Sequence, residues 1–555
     1  MARQAFRRGV AVVSIVLGLA LTACHADLND PAGQAEELSD PVRREHAVGR
    51  LHAIFSQRLV ESKGDRSAQS LKEFADVTIE PMVKTYLEHP EDSQNGYKLL
   101  QLMGEMKDPR SLPALLKALE WQAEVTEDHA VAAARTLTEL EVPADKKGEV
   151  VAAIAKALER VEGARGVDNR MRKAFIEALG KLKDKRATDI LVEVALKQDE
   201  AQNFLFNKLA AQQLVGIADP KAVDPMVKAL YLFDPNNPMM RMMEDAEAVL
   251  VAVGKPAIEP LVKTVKGENE EVNKLVELSI ESFRRKDPEL ARSMNKDALV
   301  AREAVLTLGK LGFPDALDLL LAEADQDHPD RRATAALALT SINRDESDTG
   351  RIVEAMKKVY ERSEKQARPQ LLVAFRHLYA DEVMPLLLNV AKTTERELPP
   401  VQMYGFVSYA LLANKEEAKN LPPILEKEDL IRPQIEEYKV AIEAAKECDK
   451  DVSCWIGKLK SDDKIVLRKA ATMLGRYARG NKEAIKALVE LFEHRDLEVR
   501  NEALSAVDHI AVDGSKVAVD KINELEEKEA GRSIWTNFSR EALPTRSRLQ
   551  TRAGG

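Results

Sequence analysis

A short phrase of apolar residues, an acid, a proline and a lysine recurs along this 555-residue chain, and this repetition constrains the fold more than any other feature. The clearest copies lie at 79–84 (IEPMVK), 223–228 (VDPMVK) and 258–263 (IEPLVK), with looser copies at 112–117 and 383–387. A repeated supersecondary unit buries its apolar face only against its neighbours, so the units stack into one extended array. The chain length therefore does not imply several unrelated globular domains.

Several copies follow a turn whose residues favour the start of a helix. Asp108, Asp184 and Asp219 open these turns, and an aspartate side chain can cap the first amide groups of a helix. The helix before the turn contains a glycine near its end, as at Gly180 and Gly309, and glycine tolerates the left-handed C-cap conformation. The pattern predicts pairs of amphipathic helices joined by short turns over a continuous core.

This two-helix unit resembles the HEAT repeat, including its shorter lyase-like variety, most closely over residues 301–316 and 330–337. Gly180, Gly216 and Gly254 recur at intervals close to a period of roughly 40 residues. The resemblance implies an all-α fold, an α-solenoid of antiparallel helix pairs, which we place over residues 46–530.

The resemblance also bears on individual arginines and on function. HEAT repeats often carry an arginine near the start of the first helix, bonded to an aspartate on a neighbouring turn, and Arg332 and Arg500 occupy that position. Solenoids of this kind are mostly interaction scaffolds, although some relatives act as lyases or isomerases on bound pigments.

The first residues have the plan of an export signal. Arg3, Arg7 and Arg8 precede an uncharged apolar run that ends in Leu-Thr-Ala-Cys at Cys24, and the run is too short to span a bilayer, which takes roughly 20 residues. The ending resembles the lipobox of bacterial lipoproteins, in which cleavage precedes a lipidated cysteine. The resemblance implies a signal peptide at 1–23 and acyl chains on Cys24. An ordinary signal peptide with an incidental cysteine is the alternative.

The lipobox resemblance also predicts a location for the mature chain. His25 follows Cys24, whereas lipoproteins retained at the inner membrane favour aspartate at that position. We therefore expect an anchor in the outer membrane, facing the periplasm, in preference to the inner membrane. Polar residues with Pro31 and Gly33 follow, and they predict a flexible tether over 24–45.

Charge and motif content limit the possible functions. The formal net charge is -10, which disfavours nucleic acid as a partner because the chain would repel a polyanion. The nine histidines are scattered, and the sequence contains no metalloprotease motif, phosphate-binding loop or nucleophile elbow. We therefore predict no catalytic residues, no metal and no cofactor.

Cys448 and Cys454 are the two cysteines that remain beside Cys24. In one continuous helix they would be separated by about 9 Å along the axis. A disulfide needs Cα atoms within about 7 Å, so a bond requires a helix break between them. Asp449 and Asp451 are suitable turn and cap residues. We predict a disulfide in an oxidising compartment, with free structural thiols or a redox or metal role as alternatives.

Four methionines, Met239, Met240, Met242 and Met243, crowd one short run after Pro238. Thioether sulfur is a soft ligand suited to Cu(I), but no histidine or cysteine flanks the run. Methionine also fills irregular cores and adaptable interfaces. We predict an inserted loop followed by a helix start, with the four methionines as packing or partner contacts.

The C-terminal stretch 531–555 differs from the repeats in being rich in arginine. We predict a terminal cap helix from Ser533 to about Leu543, followed by a basic disordered tail. The alternative is a basic hook for an acidic partner, a lipid headgroup or an envelope polymer.

These features together predict a membrane-anchored scaffold for envelope proteins, not an enzyme. A lyase-like enzyme is one rival, and it would need a convergent pocket of polar groups. A binder of peptidoglycan or another polymer is a second rival, and it would need exposed aromatic side chains. The chain has three tryptophans, Trp121, Trp455 and Trp535, and burial of these residues would count against polymer binding.

Overall fold

A computed structural model describes most of the chain. The described residues are 27–121, 128–161, 166–198, 203–234, 237, 239–342, 346–392, 398–421, 432–529 and 537–554. The predicted signal peptide, Cys24 and Trp535 lie outside these ranges, so their assignments stay predictions. Within the ranges, no helix combines the length and the hydropathy needed to cross a bilayer.

The described helices fall into two compact units, and each is treated by itself. Unit 1 comprises residues 1–191 and 201–213, and unit 2 comprises 192–200 and 214–555. The helices of unit 1, with the two that extend into unit 2, are α1 (Pro31–Glu37), α2 (Arg44–Glu61), α3 (Gln69–Glu88), α4 (Ser93–Met106), α5 (Leu112–Ala118), α6 (His129–Glu139), α7 (Lys147–Glu159), α8 (Gly166–Lys181), α9 (Thr188–Leu196) and α10 (Leu205–Ile217).

Unit 2 contains the longer series of helix pairs. Its helices are α11 (Val223–Ala229), α12 (Met243–Val253), α13 (Ile258–Val265), α14 (Glu270–Lys286), α15 (Pro288–Ser293), α16 (Lys296–Leu311), α17 (Leu317–Ala324), α18 (Pro329–Leu339), α19 (Glu346–Arg362), α20 (Arg368–Arg376), α21 (Met384–Lys392), α22 (Pro399–Leu412), α23 (Lys415–Ala418), α24 (Arg432–Cys448), α25 (Val452–Lys458), α26 (Lys464–Tyr477), α27 (Lys482–Val489), α28 (Leu497–Ile510), α29 (Lys516–Glu529) and α30 (Asn537–Gly554).

Equivalent helices of successive pairs pack on each other, as expected for a repeat array. The first helix of one pair packs on the first helix of the next, as α16 does on α18, and the second helix of the pair, here α17, also packs on α18. Short 3-10 turns link many pairs, at Pro109–Ser111, Lys185–Ala187, Pro220–Ala222, Lys255–Ala257, Pro314–Ala316, Asp381–Val383 and Glu490–Glu493. The predicted all-α solenoid class is confirmed.

The aspartates that open the turns cap them as predicted. The carboxylates of Asp108 and Asp184 each accept a hydrogen bond from the second following amide at 2.9 Å, and that of Asp219 does so at 3.2 Å. Asp184 also accepts from the guanidinium of Arg186 at 2.7 Å, and this arginine lowers the pKa of the Asp184 carboxyl to about 2. The caps therefore fix where the second helix of a pair begins.

The glycines near the helix ends have a different role from the predicted C-cap. Gly180 and Gly309 lie inside their helices, and the left-handed position after the first of them is taken by Lys183. A Cβ on Gly309 would lie 2.6 Å from the Cα of Ala338 on α18. These glycines are therefore required for close helix packing, whereas Gly312 provides the left-handed C-cap of α16.

We expect Gly309→Ala to lower the free energy of unfolding by about 1–3 kcal/mol, because the added methyl group overlaps the main chain of Ala338. Gly216→Ala is the matched control, since Gly216 has nothing within 4 Å of its Cβ position. Alanine is the better helix former, so the control should be neutral or slightly stabilising. Denaturant midpoints of both variants test this, and equal midpoints would contradict the packing role.

The two arginines carried over from the HEAT resemblance contact main-chain carbonyls. Arg332 donates to the carbonyl oxygens of Gln326, at 3.1 Å, and Asp327. Arg500 donates to the carbonyl oxygen of His494 at 2.9 Å. The predicted bond to an aspartate carboxylate is thus replaced by bonds to the preceding turn, because that turn presents its free carbonyl groups toward the guanidinium.

The flexible tether predicted over 24–45 is wrong for its described part. Residues 31–37 form α1, which Asp30 caps through the amides of Ala32 and Gly33, with Pro31 in the first turn. Ala35 and Leu38 are buried, and α1 packs against α2 and α3. Pro31 and Gly33 suggested a linker, but proline in the first helical turn instead favours a helix start.

The disordered tail predicted after Leu543 is also wrong. One helix, α30, runs from Asn537 to Gly554, and its residues Phe538, Ala542 and Leu549 belong to the buried core of unit 2. An internal proline, Pro544, does not end this helix. Packing against the rest of unit 2 therefore stabilises a segment whose sequence alone indicated disorder.

Candidate functional site

Helix α30 is not one more element of the repeat series. It packs against α12, α16, α28 and α29, which come from widely separated parts of the sequence of unit 2. Repeat helices contact mainly their sequence neighbours, so a helix with such partners lies across the array instead of extending it. We call the surface that these four helices present to α30 the α30 groove.

Charged pairs hold α30 at several points along its length. Arg548 and Arg552, one helical turn apart, both reach the carboxylate of Asp508 on α28, at 2.8 and 3.0 Å. Arg546 pairs with Glu526 on α29, and Arg540 pairs with Glu244 on α12 at 2.6 Å. The arginines that the sequence suggested as a hook for an acidic partner thus bind acidic residues of the same unit.

Hydrogen bonds to main-chain carbonyls add to these pairs. The Ser547 hydroxyl donates to the carbonyl oxygen of Val251 at 2.7 Å, and Arg548 donates to the carbonyl oxygen of Lys310. Both acceptors lie near the C-terminal ends of their helices, where carbonyl groups lack intrahelical partners. The α30 groove therefore recognises helix α30 through its polar groups as well as its apolar face.

Two glycines make room for α30 in the groove. A Cβ on Gly312 would overlap the side chain of Arg548, and a Cβ on Gly514 would overlap the main chain of Leu549 and Ala553. Both glycines have positive φ, at 72° and 75°, which other residues rarely adopt. The turns that contain them are thus shaped for close approach of another helix.

A polar cavity of about 240 Å³ lies beside α30. On α28 its lining residues include Asn501, Ser505 and Asp508, which are spaced to fall on one helix face. Thr545 and Arg548 line it from α30. The cavity gives the groove space that α30 itself does not fill.

A buried ion cluster is centred on Glu502, which lies on α28 among the residues that line the cavity. Glu502 accepts from Arg376 at 2.8 Å, lies 3.0 Å from the imidazole of His377, and is 4.0 Å from Arg468. Burial raises the pKa of the Glu502 carboxyl, but the surrounding cations outweigh it and hold the pKa at about 2. The cluster connects α20, α26 and α28. It therefore holds α28, which carries cavity-lining residues, against the two other helices.

The cavity also contains groups capable of acid–base chemistry, but their contacts are structural. Tyr379 donates its hydroxyl hydrogen to Ser505 Oγ at 2.9 Å, and its ring lies 5.0 Å from that of His509. Burial raises the pKa of the Tyr379 hydroxyl. Burial also raises the pKa of Asp508, yet Arg548 and Arg552 outweigh it and lower the value. These contacts tie the polar groups of the cavity to the surrounding helices, and Asp508 holds α30.

Cys448 and Cys454 lie within disulfide bonding distance, with their Cα atoms 5.3 Å apart. The break that the sequence required is present, because α24 ends at Cys448, Asp449 has a φ of 48°, and Asp451 caps α25. The Nε1 group of Trp455 donates to the carbonyl oxygen of Asp449 at 2.8 Å, which anchors the turn. Formation of the bond in the cell stays a prediction.

We expect both thiols to be blocked in protein isolated from an oxidising compartment, and reduction to cost about 2 kcal/mol of stability by chain entropy. Alkylation followed by mass spectrometry tests the first part, and denaturation with and without reductant tests the second. Free thiols at Cys448 and Cys454 in freshly extracted protein would show that the pair is not bonded.

The four methionines do not form one surface. Met239 is 87% exposed, Met240 and Met243 are half-buried, and Met242 is fully buried. Met242 precedes α12 and donates its amide to the carbonyl oxygen of Leu232. Met242 is therefore a core residue and not a partner contact, while Met239 stays a candidate contact.

The remaining predicted features lie apart from the groove. Trp455 is fully buried, and Trp121 is half-buried and stacks on His129 in unit 1 with ring centroids 4.0 Å apart. Among the side chains with described positions, no group of three or more His, Cys, Asp or Glu residues could hold a metal ion. The exposed aromatic row that polymer binding would need is not provided by these two tryptophans.

Asp508, Ser505 and Asn501 were not identified from the sequence. Their spacing on α28 was a usable signal, as was the four-residue spacing of Arg548 and Arg552. The missing information was spatial, because 40 residues separate Asp508 from Arg548 and 296 separate Val251 from Ser547.

Two segments of the chain match family models of helical repeats. Residues 455–532 match HEAT repeats, and residues 171–197 match the PBS lyase HEAT-like repeat. The first segment includes α28, which carries one wall of the cavity. These two segments are therefore similar to HEAT repeats, as the sequence resemblance indicated. No curated protein matches the chain.

Solved structures with some likeness to the chain are distant. The crystal structure of Kap121p bound to Nup53p is 12% identical, with a TM-score of 0.41, and the match covers 94% of this chain and 52% of that one. The human deoxyhypusine hydroxylase complex with glycerol is 17% identical, with a TM-score of 0.21, covering 62% and 99%. The chain spans about half of the length of the Kap121p chains that it matches. Similarity this weak bears on neither activity nor partner.

Proposed function

We propose that this HEAT-repeat chain is a lipid-anchored scaffold of the bacterial cell envelope that binds other proteins and does not catalyse a reaction. The observation that carries the proposal is the α30 groove, which holds a helix by buried apolar side chains, paired charges and carbonyl acceptors. Helix-in-groove contacts of this kind are a common mode of protein recognition. Repeat arrays supply extended surfaces for such contacts.

The envelope part of the proposal depends on the N-terminal sequence. The lipobox-like ending at Cys24 supports a lipid anchor, and His25 supports the outer membrane in preference to the inner membrane. The close approach of Cys448 and Cys454 is in keeping with an oxidising compartment, where disulfides persist. The partners would then be envelope proteins.

A comparative purification tests the scaffold. The full chain is isolated from envelopes in mild detergent, and co-purifying proteins are quantified for the wild type, Asn501→Arg and Gln69→Arg. Asn501 is an exposed residue lining the cavity, and Gln69 is an exposed residue of unit 1 that undergoes the same change of charge. We expect Asn501→Arg alone to lose specific proteins. An unchanged protein set in both variants would contradict the proposed site.

A lyase-like enzyme is the second candidate, supported by the match of residues 171–197 to the PBS lyase HEAT-like repeat. The match covers one repeat, and the polar groups around Asp508 are engaged in ion pairs. Turnover of a substrate by the purified chain without a partner would favour the enzyme over the scaffold.

A further inference from the structure

We propose that the α30 groove is a receptor for a basic amphipathic helix of a partner protein, and that the chain's own helix α30 occupies the groove until that helix displaces it. The inference rests on the proposed protein-binding function and specifies the partner class and the regulation of the same site. Three features support it: charge complementarity, a groove shaped for a helix, and an imperfect fit of α30.

The first feature is the charge of the two surfaces. Helix α30 carries four arginines and one glutamate in a chain whose formal net charge is -10. Acidic side chains from three different helices, Glu244, Asp508 and Glu526, meet these arginines. A groove with acidic groups on several of its helices selects a basic helix, and charge pairing across the contact favours correct alignment.

The second feature is the construction of the groove. Gly312 and Gly514 leave the space that the side chain of Arg548 and the main chain of Leu549 occupy. The apolar face of α30, which includes Phe538, Ala542 and Leu549, contacts the core of unit 2. An amphipathic helix of another protein with the same spacing of apolar residues and arginines would meet the same contacts.

The third feature is the defect at Glu541, the one acidic residue of α30. Its Oε2 atom is buried without a hydrogen bond from the described part of the chain, and the guanidinium of Arg500 lies 3.9 Å away, although the Glu541 side chain as a whole is 24% exposed. Burial raises the pKa of the Glu541 carboxyl. A half-buried carboxylate with one buried oxygen that accepts no hydrogen bond opposes binding, so α30 is a weaker occupant than a helix with a neutral residue at this position.

The polar cavity strengthens the case for exchange. It lies along Thr545 and Arg548 and leaves about 240 Å³ that α30 does not fill. A partner helix with longer side chains at these positions gains contacts that α30 lacks. The chain's own helix therefore competes through its covalent attachment and not through an optimal fit.

The test uses the full chain in detergent and a fluorescent peptide with the sequence of residues 537–554. In the chain, Arg548→Glu combined with Arg552→Glu places two like charges against Asp508 and should release α30. Arg285→Glu combined with Arg495→Glu is the matched control, since both arginines are exposed elsewhere in unit 2. Hydrogen exchange of residues 537–554 reports release, and fluorescence anisotropy reports peptide binding.

We expect the charge-reversed chain to expose residues 537–554 to exchange and to bind the peptide about tenfold more tightly than the wild type or the control, because the internal competitor is removed. A peptide carrying Glu541→Gln should bind up to about tenfold more tightly again, since it places no charged oxygen without a hydrogen bond in the groove. A peptide of scrambled sequence and equal charge should not bind. If charge reversal disrupts folding, as circular dichroism would show, Arg552→Gln alone provides a milder release that leaves Asp508 in the groove.

Protection of 537–554 in the charge-reversed chain would show that α30 is a permanent core element and would overturn the proposal. Equal binding of the scrambled peptide would also overturn it, because only non-specific charge attraction would remain. Binding of the released chain to phosphatidylglycerol vesicles, without binding of the peptide, would favour a membrane contact for α30. In each of these cases, envelope proteins that co-purify with the wild type but not with Asn501→Arg would still support the scaffold function. Only the proposed displacement of α30 by a basic helix would then be wrong.

Discussion

Replacement of Glu502 by glutamine is expected to lower the free energy of unfolding by about 3–5 kcal/mol at neutral pH, the usual cost of removing one partner from a buried ion pair. The side chain of Glu502 is 2% exposed, and it faces Arg376 and Arg468, whose side chains are 6% and 7% exposed. Glutamine keeps the shape and removes the charge, so Arg376 stays buried without the carboxylate that pairs with it, and Arg468 keeps only its exposed partner Glu498.

Glu498→Gln is the matched control for this prediction. Glu498 also pairs with Arg468, at 2.6 Å, but its side chain is 62% exposed. Water screens an exposed pair, and such pairs contribute about 0–1 kcal/mol. The free energies of unfolding of the two variants, measured with denaturant, show how much of the effect comes from burial of the ion pair and how much from the pairing itself. Equal losses of stability would contradict the special role of Glu502.

The Glu502 variant should also change the pH dependence of stability. The pKa of this carboxyl is about 2 in the folded chain and near 4.5 when unperturbed, so its contribution is complete above about pH 5. The contribution is lost as the pH falls through the range between these values, because the unfolded chain binds the proton more tightly. The stability difference between wild type and Glu502→Gln should therefore shrink toward pH 2.

Replacement of Cys24 by serine is expected to move the chain from the membrane fraction to the soluble fraction. Each buried methylene of an acyl chain contributes about 0.8 kcal/mol of membrane affinity, and two or more chains anchor a protein stably. Metabolic labelling with palmitate should mark the wild type and not the variant.

His25→Asp is the control for the anchor. The lipobox resemblance implies that lipidation is kept while retention at the inner membrane is favoured. We therefore expect palmitate labelling of His25→Asp and a shift between membrane fractions on a density gradient. Continued membrane association and labelling of Cys24→Ser would show that Cys24 is not the lipidated residue.

The repeat architecture could be predicted from the sequence because its causes are local. Three turn aspartates, Asp108, Asp184 and Asp219, cap helices through amides two residues away. Their role therefore depends only on neighbouring residues in the sequence. The helix break between Cys448 and Cys454 was predictable for the same reason, since Asp449 and Asp451 favour a turn and a cap.

The misread residues are those whose role depends on a distant helix. Gly309 resembles a C-cap in sequence, but its contact with Ala338 makes it a packing residue. Nothing in the sequence around Glu502 or Lys469 indicates burial, yet both are buried, and the Lys469 side chain donates to the carbonyl oxygen of Ala410 at 2.9 Å. Desolvation lowers the pKa of Lys469.

Helix α30 shows the same limit most clearly. Its arginines were visible, but their partners Asp508, Glu526 and Glu244 lie 20 to 296 residues away in sequence. A composition rich in arginine near a chain end predicts disorder when no partner is known. The acidic groove supplies the partners and converts the segment into an ordered helix.

Site-specific photo-crosslinking in intact cells tests the central claim, that the α30 groove is where this chain binds other proteins. A photo-reactive amino acid is placed at Asn501, which lines the cavity, and in a second strain at Lys486, an exposed residue of α27 outside the cavity lining. The account predicts discrete crosslinked envelope proteins from Asn501, increased by release of α30, and few or none from Lys486. Crosslinks only from Lys486, or none from Asn501 even after release of α30, would contradict it.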